Sequence, residues 1–224
     1  MTSPADVAAF HREFDRHPDD RVRLFAAFRE LLPADASVLY PGSYVDIGPS
    51  VWFDRVIYVD IDKRAARFFA EADQVDELVT TKRQAFDRAD RPGAGGPPVV
   101  TFHHLDYRDD LPIGERSVDA VVSLYAGFIS SYCTRYLRPG GLLLANNSHG
   151  DASMASLDPD YELAAVLDHA GGRYRVITTG LDPYLQPKRG EAPTAEELQS
   201  LGRGIAYTRS AFAYVFRRNH VGAG

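Results

Sequence analysis

The sequence predicts an α/β fold: a doubly wound, mostly parallel seven-stranded sheet with helices on both faces and a terminal antiparallel strand. Three observations lead there. Short β-branched runs alternate with helical stretches between Ser37 and Leu144, the pattern of crossover connections in a parallel sheet. The runs Ala120-Val121-Val122 and Leu142-Leu143-Leu144 are apolar without alternation, as strands covered on both faces must be. Apolar residues make up 45% of the 224 and charged residues 25%, enough to build a core on both sides of one sheet.

The elements follow in order. Ser3-Pro4-Ala5-Asp6 opens a first helix with a capping hydroxyl, a proline at the first helical position and an acid in the first turn. Phe10 and Phe14 lie one turn apart behind it. Asp19-Asp20 opens a second helix whose apolar stripe is Leu24, Phe25, Phe28, Leu31 and Leu32. Residues 1-33 therefore read as an N-terminal helical extension, either packed on the domain or lying as a lid over a pocket. Strands are expected at Ser37-Tyr40, Val56-Asp60, Val99-His103, Ala120-Leu124, Leu142-Asn146, Arg175-Thr179 and Phe212-Arg217. Helices are expected at Ile61-Ala72, Asp76-Ala89 and Phe128-Leu137, with a short turn after Gly48. No clear helix separates the last two strands, which predicts the antiparallel ending. Arg91-Pro98 reads as a surface connection. Residues 180-206 hold Pro183, Pro187, Lys188, Arg189, Pro193 and Arg203; a stretch of that length is commonly a lid or a substrate loop, and its cations suit an anionic group or a solvated surface. No internal repeat and no second domain is visible, so 1-224 reads as a single domain.

Composition narrows the function. The net charge of -6 opposes a phosphate backbone, so no nucleic acid partner is expected. Cys133 is the only cysteine, which suits a reducing compartment. No apolar run approaches the ~20 residues a membrane span needs, and the N-terminus lacks the apolar core of a signal peptide. A soluble, cytoplasmic chain is the expectation, with a homodimer left open. His103 and His104 are adjacent and point to opposite faces of a strand; with no other cluster at ligand spacing, no metal is expected.

Chemistry concentrates in Val38-Ser50. A short strand runs into Tyr40-Pro41-Gly42-Ser43, where glycine lets the backbone turn tightly and approach a ligand. Ligands of doubly wound sheets bind outside the carboxyl ends of such strands. Asp60 follows Gly42 by eighteen positions and precedes Ile61, close to the ~20-residue offset at which an acid accepts hydrogen bonds from ribose hydroxyls. Asp62 by itself reads as a helix cap.

The segment His104-Leu105-Asp106-Tyr107 through Leu111-Pro112 comes next. It is followed by Arg116-Ser117-Val118-Asp119-Ala120-Val121-Val122-Ser123 and by Leu137-Arg138-Pro139-Gly140-Gly141-Leu142-Leu143. With the glycine turn and Asp60, these motifs in this order resemble the class I (Rossmann-like) S-adenosylmethionine-dependent methyltransferases, over roughly Val38 to Asn147. The resemblance implies S-adenosylmethionine as cofactor and methyl transfer to a small-molecule substrate. It places Asp106 at the adenine edge, Tyr107 beside the ring, and Ser123-Leu124-Tyr125 by the methionine moiety, with Asp119 a structural acid. The first motif departs from the family: Tyr40 stands where an acid is expected, and Tyr44 and Asp46 where later glycines are expected. Asp46 is then the carboxylate available to the cofactor's ammonium. Such a loop marks either a subfamily with its own cofactor pose or a pocket that has lost the cofactor.

Transfer from a sulfonium needs alignment, plus a base where the acceptor is protonated. His149, in Asn146-Asn147-Ser148-His149-Gly150-Asp151, is the first catalytic candidate, since histidine titrates near ~6.5. Tyr125 is the second, and Asn146 and Asn147 are placed to orient a substrate. The Asn-Pro-Pro-Tyr signature of amino-methylating relatives is absent. Two other classes compete: a non-catalytic scaffold that kept the fold and lost the cofactor, and a nicotinamide-dependent dehydrogenase. The dehydrogenase lacks the G-x-G-x-x-G that seats a pyrophosphate.

Overall fold

The alternating runs form strands joined by helices, an α/β fold, in a computed structural model that describes residues 6–14, 19–86 and 98–219. The helix start at Ser3-Pro4-Ala5, the end of the helix expected at Asp76-Ala89 and residues 91–97 of the expected connection lie outside the described residues. Two compact units divide the chain, Met1–Asp109 and Asp110–Gly224.

In the first unit, α1 (Val7–Phe14) and α2 (Asp20–Arg29) precede β1 (Ser37–Pro41), α3 (Gly48–Trp52), β2 (Arg55–Val59), α4 (Lys63–Ala70), α5 (Ala72–Phe86) and β3 (Val99–His103). The three strands are parallel in the order β3-β2-β1, and Tyr40, Tyr58 and Phe102 share one register row. Phe69 on α4 stacks on Tyr58 at 4.9 Å and on Phe102 at 4.6 Å, so an aromatic layer glues helix to sheet. The expected stripe on α2 is buried at Leu24, Phe25 and Phe28. Asp19 does not cap that helix; it pairs with Lys82 at 3.0 Å. The five-residue α3 is too short to hold itself. Trp52 Nε1 donates to the Val22 carbonyl at 2.7 Å. The buried Arg83 donates to the Ser50 and Phe53 carbonyls at 2.7 and 2.8 Å, a cation on the carbonyl end of the helix.

In the second unit come β4 (Val118–Ser123), α6 (Ser130–Cys133), β5 (Leu137–Ala145), α7 (Asp151–Ala155), β6 (Tyr161–Ala170), β7 (Arg173–Ile177), α8 (Ala195–Leu201) and β8 (Ala213–Arg218). The order is β4-β5-β8-β6-β7. β4 and β5 are parallel, whereas β8 runs antiparallel between β5 and β6, in keeping with the antiparallel ending the sequence predicts. Every β4 residue is buried. Gly141 admits β5 next to β4: a Cβ there would sit 2.7 Å from Leu137 and 2.9 Å from the Arg138 and Asp119 carbonyl oxygens.

Eight strands are present among the described residues, one more than expected. The addition, β6, reads Tyr-Glu-Leu-Ala-Ala-Val-Leu-Asp-His-Ala, with a single β-branched residue; partners on both sides override its weak propensity. The helix expected at Phe128-Leu137 is only α6 followed by a 3-10 turn at Thr134–Tyr136, because Leu137 already belongs to β5. Residues 180-206 contain a 3-10 turn at Asp182–Tyr184 and α8, closed by a capping box between Thr194 and Glu197. The segment is docked, not loose. Asn147 Nδ2 donates to the Ile205 carbonyl at 2.9 Å, the Gly204 N–H to the Asn147 carbonyl at 3.2 Å, and Tyr207 Oη to Ser153 Oγ at 2.9 Å.

Candidate functional site

In the first unit, the turn after β1 is built on Gly42, at φ 65, and Tyr44, at φ 49. The second is unusual, since a side chain in the left-handed region costs roughly 1–2 kcal/mol. Asp60, just past β2, holds it there. One carboxylate oxygen accepts from the Tyr44 N–H at 2.7 Å, the other from the Asp62 N–H at 2.8 Å. A carboxylate offers about four acceptor positions, so two remain after this staple is made. The Tyr44 ring packs against Phe14 at 5.6 Å and Phe10 at 5.9 Å, with the Arg64 guanidinium 5.1 Å from its centroid. Helices α1 and α4 therefore take up the ring. Burial, ahead of nearby charges, raises the Tyr44 phenol above its ordinary range.

Tyr40 and Asp46 brace this turn. Tyr40 Oη donates to Asp46 Oδ2 at 3.1 Å and the Gly48 N–H to Oδ1 at 2.9 Å, while Arg21 Nε lies 3.5 Å away. Asp46 is 2% exposed. Pro41 and Ser43 are buried with them. The connections that follow β2 and β3 are more open: Ile61 is 63% exposed and Leu105 37%, and a His104 ring nitrogen lies 3.0 Å from the Ile61 carbonyl. Asp106 is half-buried. It accepts from the Arg108 N–H at 2.9 Å and from the guanidinium at 3.0 Å, which holds its carboxyl below the usual range. Tyr107 is half-buried beside it.

In the second unit, Ser123 ends β4, and Leu124 behind it is 2% exposed. Tyr125 follows at φ 62, 46% exposed, with its N–H 3.4 Å from Asn146 Oδ1. Ser148 Oγ donates to the same oxygen at 2.9 Å and lies 3.1 Å from His149 Nδ1. The Tyr125 and His149 rings meet edge to face at 6.4 Å. The two catalytic candidates thus share one hydrogen-bonded loop cluster.

Beside it, Asp151 begins α7 and is 1% exposed. Its carboxylate accepts from Ser130 Oγ at 2.5 Å and from the Ser130 N–H at 3.1 Å. Burial pushes its pKa up to about 6, against the lowering effect of Ser123, Ser130 and backbone donors. The Cys133 thiol is raised to about 12 by burial, reinforced by Asp151. Among the described residues no group of three His, Cys, Asp or Glu can hold a metal ion, and no helix is long and apolar enough to cross a membrane.

No protein-family model and no curated protein matches the sequence. Among solved structures, a SAM-dependent methyltransferase of Thermotoga maritima, described as a possible histamine N-methyltransferase, is similar over 96% of each chain at 12% identity, with a TM-score of 0.50. The chain has the class I methyltransferase fold. Two weaker likenesses are a Haloferax volcanii structure pairing the Trm112 methyltransferase activator with a methyltransferase and a Thiobacillus denitrificans methyltransferase in complex with S-adenosyl-L-homocysteine. The first is 17% identical over 98% of this chain and 100% of that one, TM-score 0.45; the second is 19% identical over 75% of each, TM-score 0.39.

Within this methyltransferase fold, Ile61 is among the residues the sequence singles out beside Asp60, whereas three other groups at the strand ends escape a reading of the sequence. Leu105 is an ordinary apolar letter until burial is known, and Ser148 is one loop serine among several. Asp151 carried a signal: an acid directly after Gly150, which has φ 91 and precedes α7, is a natural first-turn residue.

Proposed function

We propose that the chain is an S-adenosylmethionine-dependent methyltransferase acting on a small molecule. The observation that carries this reading is Asp60. Its carboxylate pins the turn after β1 through the Tyr44 and Asp62 N–H groups and keeps acceptor positions for the two ribose hydroxyls. Gly42 and Ser43 form the turn, and exposed Ile61 and Leu105 give an adenine ring apolar surface. Asp106 and Tyr107 serve the ring's polar edge and flank. The packing of the Tyr44 ring against α1 and α4 supports a fit between loop and cofactor despite the altered motif. Tyr40 and Asp46 act as braces beneath it.

The cofactor supplies an electrophilic methyl group; the chain supplies position and a proton acceptor. Ser123 and Leu124 line the methionine end in this reading. Tyr125 forms a wall for the acceptor and His149 takes its proton, so the acceptor carries a hydroxyl or a protonated amine. Exposed Lys188, Arg189 and Arg203 favour an acceptor with an anionic group.

Isothermal titration calorimetry tests the reading. S-adenosylhomocysteine is expected to bind the wild-type protein in the micromolar range and Asp60→Ala at least tenfold more weakly. No heat with either S-adenosylmethionine or its demethylated product would overturn it in favour of a scaffold that has lost the cofactor.

A further inference from the structure

We infer that Asn146 and Ser148 are positioning residues that fix the ring tautomer of His149, with the proton on Nδ1 and the lone pair on Nε2. One donor in this cluster has an identity that cannot change. The Tyr125 backbone N–H points at the Asn146 side chain, so the atom it meets is the amide oxygen and not the NH₂ group. That oxygen accepts a second hydrogen bond, from Ser148 Oγ at 2.9 Å. A serine hydroxyl has one proton, and Ser148 spends it there. Toward His149 Nδ1, 3.1 Å away, Ser148 Oγ can only accept. Nδ1 therefore carries the hydrogen, and the neutral ring presents its lone pair on Nε2.

Nε2 has no hydrogen-bond partner among the described residues, and His149 is exposed. The Tyr125 ring stands edge to face with the imidazole at 6.4 Å, which further limits its rotation. Asn146 is itself 4% exposed, and its backbone N–H donates to the Ser123 carbonyl at 3.0 Å. The catalytic use of this lone pair rests on the methyltransferase reading above; the tautomer does not.

Long-range ¹⁵N–¹H correlation spectra of the histidine rings read the tautomer directly, at a pH where the ring is neutral. The chain has seven histidines, so a His149→Gln sample identifies the signal. The wild-type ring is expected as the Nδ1–H form. Ser148→Ala is expected to shift it toward Nε2–H, and Ser148→Thr, which keeps the hydroxyl, to retain Nδ1–H. A wild-type ring in the Nε2–H form, or one unmoved by Ser148→Ala, overturns the inference. Where an acceptor is turned over, Ser148→Ala lowers kcat about tenfold with KM unchanged, while S-adenosylhomocysteine affinity stays at the wild-type value. Because the spectra need neither cofactor nor turnover, failure of the methyltransferase reading and failure of the tautomer assignment are separately visible.

Discussion

Replacing Asp151 by asparagine should erase one specific slice of the protein's pH-dependent stability. The carboxyl is fully buried and its pKa is pushed up to about 6, against ~3.9 in an unfolded chain. Between those values the native state holds a proton that the unfolded state has released. The unfolded state then binds fewer protons, so stability falls as pH rises from about 4 to 6 and is level above. The difference between pH 4.5 and 7.5 from this group is about 2 kcal/mol, or about 4–8 °C in melting temperature for a chain of this size. Asp62 and Asp106, held low by Arg64 and Arg108, act in the opposite sense and only below about pH 4. Asparagine copies the protonated acid in shape and charge. Thermal or urea unfolding of both proteins at the two pH values supplies the test. The wild type should lose about 2 kcal/mol more than Asp151→Asn on going from pH 4.5 to 7.5. Equal losses would show that the carboxyl ionises as freely folded as unfolded, and the burial argument would be wrong.

Two further outcomes follow from the packing. Gly141→Ala forces a methyl within 3 Å of Leu137 and of two carbonyl oxygens, and should destabilise the protein by about 1–3 kcal/mol in urea unfolding. A double-mutant cycle of Tyr44→Ala and Phe10→Ala should return a coupling of about 0.5–1.5 kcal/mol; a coupling near zero would mean the Tyr44 ring is not held by α1.

What the sequence disclosed depended on whether the physics was local. The apolar runs of β4 and β5 announce burial on both faces by composition alone, and Asp60 is found by its offset from Gly42. β6 stayed hidden because its letters favour no strand; only the pairings with β7 and β8 make it one. Tyr44 posed a different difficulty. Nothing in the letters says that a tyrosine will occupy a left-handed position, because the cause lies sixteen residues away in the Asp60 carboxylate. The docking of residues 180-206 was hidden for a related reason: two of its anchors are backbone groups, the Ile205 carbonyl and Gly204 N–H, which every sequence possesses. His149 and Tyr125 are visible as candidates in the sequence, but their meeting through Asn146 and Ser148 depends on how two separate loops fold against each other.

The placement of β8 also sets a timetable for synthesis. β5 and β6 are separated by only fifteen residues of chain, yet neither lies beside the other; the strand between them is made some forty residues after β6 ends. While the ribosome is still extending the chain, β5 and β6 each expose an unpaired edge that nothing yet made can close. Nascent chains paused before Ala213 should therefore be the most dependent on chaperones and the most prone to pair wrongly, and closure of this unit is a late event, set by the arrival of a single strand.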